Sequence, residues 1–168
     1  RNEMTVIRVR TPDTEVAVTG AGYLPMGEFL VGERPIDPLT DPGLRQFLRT
    51  SLLCNHATLA LEEGGWRIFG TPTEGALVVA AEKAGLSRDG APEAEREFSF
   101  NSTRKRMTII YPEEGGYVAH VKGAPEVLLA RSSRVLREGT AIPLTDELRS
   151  VLLAGIDEYA SQGLRVLG

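Results

Sequence analysis

The stretch from Phe98 to Lys122 constrains the fold most. Two strand-patterned runs, Phe98–Tyr111 and Tyr117–Lys122, flank Pro112-Glu113-Glu114-Gly115-Gly116. Proline and paired glycines there are turn chemistry, so the pattern predicts a β-hairpin. A second hairpin is expected from Met4–Val9 and Glu15–Thr19, with the turn at Pro12-Asp13. Between and after the hairpins the period changes to that of helices. From Asp41-Pro42 to Gly64-Gly65, Leu44, Phe47, Leu48, Leu52, Ala57 and Leu61 recur mostly at three-and-four spacing and predict one long helix. Thr73–Lys83 reads as a second helix stopped by Gly85, Pro125–Arg131 as a short third, and Thr145–Ser161 as a long amphipathic fourth ended by Gly163. Short strands are expected at Trp66–Phe69, Arg134–Arg137 and Leu164–Leu167. Gly20–Pro42 reads as an irregular connection with one short strand, and Ser87–Glu95 as a polar surface loop. The fold class is therefore α/β of the α+β type, a mainly antiparallel twisted sheet with helices packed on it.

At 168 residues, 42% of them hydrophobic, the chain can bury a sizeable core and is expected to form one domain. A net charge of -4 argues against a nucleic-acid surface, which needs clustered Lys and Arg. With Cys54 as the single cysteine there is no internal disulfide, and no Cys/His cluster has the spacing of a zinc site, a composition that suits a reducing cytosol. No apolar run approaches the roughly 20 residues that span a bilayer, so these residues are not expected to insert into a membrane. The chain lacks an initiator Met and stops at Val166-Leu167-Gly168, which reads as a segment of a longer protein.

A nucleotide site would have to be built without a glycine loop. No G-x-x-x-x-G-K-[ST] occurs, and Gly20-Ala21-Gly22 lacks the third glycine and helix of a dinucleotide fingerprint. In Phe98-Ser-Phe-Asn-Ser-Thr-Arg-Lys-Arg-Met107, an aromatic pair is followed by three consecutive cations. Read as one continuous strand, alternation would send Lys105 and Met107 to one face and Arg104, Arg106 and Thr108 to the other. A purine could stack on Phe100 with Lys105 reaching toward it. Equally, Phe100 could belong to the core while the cations guard a sheet edge. The residues alone leave both readings open.

Four segments, in order, resemble the nucleotide-binding domain of cation-transporting P-type ATPases, of the branch with calcium and sodium pumps. Phe98–Ile110 resembles its adenine-binding strand. Gly70-Thr-Pro-Thr-Glu-Gly-Ala-Leu77 is similar to its Gly-Asp-Pro-Thr-Glu-Gly-Ala-Leu motif, Val121-Lys-Gly-Ala-Pro-Glu126 to its Lys-Gly-Ala-Pro-Glu motif, and Gly163-Leu-Arg-Val-Leu167 to its closing hinge. Weaker matches stand at Leu53-Cys-Asn-His-Ala57 and Arg1-Asn-Glu-Met-Thr-Val6, so the resemblance spans the chain.

The resemblance implies that residues 1–168 are one nucleotide-binding domain of a membrane pump, bounded by hinges near 1–6 and 163–168 and lying on the cytoplasmic side. It implies that Phe100 stacks on adenine, that Glu74 accepts from the adenine amino group, and that Thr73 caps its helix and borders the site. Lys105 neighbours the nucleotide, Lys122 lines the purine pocket beside Gly123, and Arg165 meets the phosphates. Ser102, Met107 and Leu167 complete the implied set. Each has a plainer role: Glu74 suits a helix N-terminus, Lys122 an ordinary strand position, and Arg165 a surface cation. Gly123 is expected to let the backbone approach a ligand closely.

Thr71 stands where the family often has Asp or Asn, and Ser102 where animal reticulum pumps carry a phosphate-contacting arginine, departures that put the phosphate grip in doubt. His56 and His120 are expected to be structural, and Cys54 buried within the first helix pattern. The implied ligands are ATP or ADP with Mg²⁺, the metal held mainly by a neighbouring phosphorylation domain. That domain and the actuator domain of the same pump are the implied partners. The Asp-Lys-Thr-Gly-Thr nucleophile motif does not occur in the chain. Calcium is the first expectation for the transported ion, with sodium, magnesium or protons as alternatives. Two competing classes stand beside this one: a protein-interaction module whose basic run Arg104–Arg106 docks an acidic partner over a vestigial pocket, and a self-contained hydrolase or kinase.

Overall fold

Proline opens three helices, where its missing N–H has no intrahelical partner to lose. These are α1 (Pro42–Leu53), α2 (Pro72–Lys83) and α3 (Pro125–Arg131). Asp41 caps α1 through Oδ1, which accepts from Leu44 N at 2.8 Å. Thr71, not Thr73, caps α2, its Oγ1 accepting from Glu74 N at 3.3 Å. This corrects the expected cap by two residues, because Pro72 at the first helical position puts the cap immediately before it. Thr145 caps α4 (Asp146–Ser161), accepting from Leu148 N.

The computed structural model describes residues 3–168; Arg1 and Asn2, the start of the expected hinge at 1–6, lie outside them. The chain forms two compact units, Arg1–Ala91 and Pro92–Gly168.

In the first unit, β1 (Arg8–Arg10), β2 (Glu15–Val18), β3 (Phe29–Val31) and β4 (Arg34–Ile36) make a sequential antiparallel sheet. The β1–β2 hairpin is the expected one, with its first strand at Arg8–Arg10 rather than Met4–Val9. Gly20–Pro42 holds two strands rather than one; at three residues each, they are too short to show a period. Val9, Val16, Val18 and Phe29 pack with Leu44 and Leu48 of α1 and Ala80 of α2. The expected long first helix ends at Leu53, with Cys54 as its buried C-cap. Beyond it, β5 (Thr58–Glu62) pairs with β6 (Gly65–Phe69). Leu59 and Ile68 of this hairpin pack on Leu52, Ala57, Val78 and Ala81.

In the second unit, β7 (Arg96–Asn101), β8 (Arg106–Glu113) and β9 (Gly116–Gly123) form an antiparallel sheet. The single strand expected over Phe98–Tyr111 is thus two strands and a reversal. Asn101 makes that reversal: its Oδ1 accepts from Arg104 N at 2.7 Å and its carbonyl from Lys105 N at 2.8 Å. Lys105 takes a left-handed backbone, φ 51°. After α3, β10 (Arg134–Arg137) pairs with β11 (Thr140–Pro143). Leu164–Leu167 is irregular rather than a strand; at its end Gly168 exchanges two backbone hydrogen bonds with Gly123, at 2.9 and 3.0 Å. Among the described residues the four sheets are all antiparallel, in keeping with the α+β class.

Candidate functional site

Register decides which aromatic of β7 faces where. Phe98 pairs with Thr108 and Asn101 with Arg106, so two residues, Ser99 and Phe100, stand opposite the single Met107. The extra residue of this β-bulge reverses the alternation. Phe100 is thereby moved off the face of Phe98 and onto that of Met107, whose partner on β9 is Lys122. The result is a row across three strands in which Phe100 is 60% exposed, Met107 is buried and Lys122 is 9% exposed. Ile109, Tyr111 and His120 continue the same face as core, with Tyr111 and His120 ring edge to ring face at 5.8 Å. His120 is accordingly a buried core residue.

Phe98 serves a different purpose. The Arg104 guanidinium lies 5.6 Å from its ring centroid and that of Arg96 6.0 Å, both within cation–π range. Arg104 also donates to Thr108 Oγ1 at 3.4 Å. Partial desolvation, then the charges of Arg131 and Arg104, hold the Arg106 pKa below the usual guanidinium value. Three cations in sequence therefore do not alternate along a strand. Arg104 and Lys105 sit in the reversal, and Arg106 begins β8.

Ser102 and Lys105 are exposed on that reversal. Gly123, where β9 ends, also answers a packing need: a Cβ there would lie 2.3 Å from the Lys105 carbonyl oxygen and 2.7 Å from Arg106 Cα. The glycine lets the start of β8 close against β9, and Ala124 N then donates to the Lys105 carbonyl at 2.9 Å. Arg165 is exposed and Leu167 half-buried on the irregular C-terminal segment that Gly168 ties to Gly123.

In the first unit, Glu74 occupies the first turn of α2, with 15% of its side-chain surface open. Its Oε1 lies 3.9 Å from His56 Nδ1 and 3.4 Å from the His56 backbone N–H, which points a donor at it. The imidazole is half exposed. Asn55 donates to the Glu74 carbonyl at 2.9 Å. Neither Asn55 nor His56 stood among the expected site residues; the weak Leu53–Ala57 match was the one indication of them. Thr73 Oγ1 meets Met4 Sδ at 3.4 Å.

Among the described residues, no group of three or more His, Cys, Asp or Glu is placed to hold a metal ion, and no helix is long and apolar enough to cross a membrane.

Residues 43–168 match the profile of a family described as P-type ATPase, cytoplasmic domain N. The chain is 37% identical over 172 residues to a calcium-transporting ATPase of Bacillus subtilis, covering 99% of this chain and 19% of that protein. It is 35% identical over 175 residues to the cation-transporting ATPase pma1 of Synechocystis, with 99% and 19% covered. Against the calcium-transporting ATPase type 2C member 1 of Bos taurus it is 30% identical over 175 residues, with 99% and 18% covered. The chain thus spans about a fifth of the length of these relatives, 18% to 19%.

Proposed function

Because the chain belongs to the family of P-type ATPase cytoplasmic N domains, we propose that it binds ATP and presents the γ-phosphate to an aspartate on a neighbouring phosphorylation domain of a cation pump. Calcium is the transported ion this reading favours, from the names of the relatives in Bacillus subtilis and Bos taurus. Residues 1–168 act as one nucleotide-binding domain on the cytoplasmic side of the pump, with hinges near 1–6 and 163–168.

The observation that carries the reading is the bulge in β7, which puts the solvent-open ring of Phe100 in the same row as Lys122. Adenine stacks on Phe100, and the Lys122 stem and Met107 line the sheet beside the ring. Lys105 and Ser102 on the reversal, and Arg165 and Leu167 on the segment tied to Gly123, lie toward ribose and phosphates. Glu74 accepts from the exocyclic amine, with Thr73 at the border. The residues of Pro92–Gly168 suit a purine triphosphate: an exposed ring for the base and cations for its phosphates. Mg²⁺ bound with the nucleotide would supply charge neutralisation at the phosphates that Lys105 and Arg165 face, and the phosphorylation domain would hold it. What this chain's own residues supply is positioning.

A buried Phe100 ring would favour the interaction-module reading over the pocket, and the ring is 60% exposed. The test is amide chemical-shift mapping with ATP, ADP and GTP, with and without Mg²⁺. Coherent, saturable shifts at Glu74, Phe100, Lys105 and Lys122, stronger for adenine nucleotides, are expected, with dissociation constants on the order of 0.1 to several mM. Scattered or unsaturable shifts would reject the pocket.

A further inference from the structure

We propose that Asn55 is a positioning residue that sets the base contact of Glu74, and with it the preference for a 6-amino purine. The proposal rests on the reading of Glu74 as acceptor for the adenine amine.

Asn55 is 4% exposed and lies between α1 and β5. Its Nδ2 donates to two carbonyls, Ser51 in the last turn of α1 at 3.0 Å and Glu74 in the first turn of α2 at 2.9 Å. Its Oδ1 accepts from Ala57 N at 2.8 Å, and its own carbonyl accepts from Arg88 Nη2 at 2.9 Å. Both amide hydrogens and the amide oxygen are therefore used. Turning the amide over would set its oxygen against two carbonyl oxygens and its NH2 against an N–H, so the observed orientation is the satisfied one.

The consequence falls on Glu74. Its main chain is held from outside its own helix by Asn55. The next residue, His56, brings its N–H to 3.4 Å and its ring to 3.9 Å from the Glu74 carboxylate. One dipeptide thus reaches both the backbone and the acid of the same residue. A site built to hydrogen-bond a substrate group discriminates against an analogue lacking that group only while its acceptor stays in place. Loosening Asn55 should therefore erode base choice before it erodes nucleotide affinity as a whole.

The test compares ATP with inosine triphosphate, whose purine carries oxygen in place of the 6-amine, on the 168-residue chain. The unaltered chain should prefer ATP on the order of tenfold, the discrimination expected of one hydrogen bond to a charged acceptor. Glu74→Ala should abolish the preference. Asn55→Ala should lose most of it while the affinity for inosine triphosphate stays where it was, a split that mere destabilisation would not produce. If Asn55→Ala retains the full preference while Glu74→Ala loses it, the positioning role is wrong. If Glu74→Ala retains it, the reading of Glu74 fails first and takes this one with it. Should Asn55→Ala not fold, the side-chain amide resonances of Asn55 in the unaltered chain decide: they should move with ATP and not with inosine triphosphate, and equal or absent movement overturns the proposal.

Discussion

Phe98 and Phe100 sit two positions apart on one strand and do opposite things. The 60% exposure of Phe100 means that its ring contributes little to the core, so removing it should cost binding rather than folding. Base–aromatic stacking is worth about 1–3 kcal/mol. Phe100→Ala should therefore weaken ATP binding by roughly 5- to 100-fold and leave the thermal midpoint nearly unchanged. Phe98→Ala removes the platform under Arg104 and Arg96 on the other face, and should leave ATP affinity within about twofold. Titration followed by shift mapping separates the two; equal losses from both variants would mean that the bulge does not sort them. A titrating residue supplies a second prediction. Burial, reinforced by Asp89 and partly offset by Arg88, raises the Glu82 pKa above its ordinary 4.5. The native chain then keeps a proton that the unfolded chain has released, so stability falls as pH rises from 4.5 through the folded value. Glu82→Gln should flatten that decline in urea midpoints measured from pH 4.5 upward, and an unchanged slope would refute the assignment.

At the level of elements, the hairpin turns and the positions of α2, α3 and α4 were the legible parts, because they depend on neighbouring residues, although the cap of α2 was misplaced. Pro125–Arg131 falls where expected, and α4 starts one residue later, at Asp146, with Thr145 as its cap. What failed to show were features fixed from a distance. Leu52, Ala57 and Leu61 fit a helical spacing, yet α1 stops at Leu53. Where it stops, the Asn55 side chain bonds Ser51 of α1, Glu74 of α2 and Ala57 in the loop before β5. The bulge is equally invisible, because Phe-Ser-Phe alternates perfectly on paper and only pairing with Met107 breaks the alternation. Of the candidate site, the residues are those that the motif resemblance implies, while the row Phe100, Met107 and Lys122 required register. The cap of α2 gives a direct check at this scale. Thr71→Ala should lower stability by about 1 kcal/mol, since Glu74 N loses its acceptor. Thr73→Ala should cost under about 0.5 kcal/mol. Urea unfolding of the two variants distinguishes them, and the reverse order would move the cap back to Thr73.

For the molecule as a whole, the division of labour follows from what the chain carries. Phosphoryl transfer needs an in-line nucleophile, charge neutralisation on the γ-phosphate and a means of holding the two together. The sequence has cations and an aromatic platform but no Asp-Lys-Thr-Gly-Thr segment. Delivery to an aspartate on a tethered neighbour would be intramolecular, and orientation of that kind is worth about 7–11 kcal/mol of barrier. Weak intrinsic ATP binding is compatible with that arrangement, because tight uniform binding would lower KM without accelerating transfer. The 168-residue chain alone should consequently bind ATP in the millimolar range, release no inorganic phosphate above the uncatalysed background, and incorporate no label from γ-³²P-ATP into acid-stable protein. Supplying in trans a phosphorylation domain that bears the missing aspartate motif should produce labelling, and Phe100→Ala should reduce it. Hydrolysis by the chain by itself would place a nucleophile or water-activating group within these residues and undo the assignment of a purely positioning role.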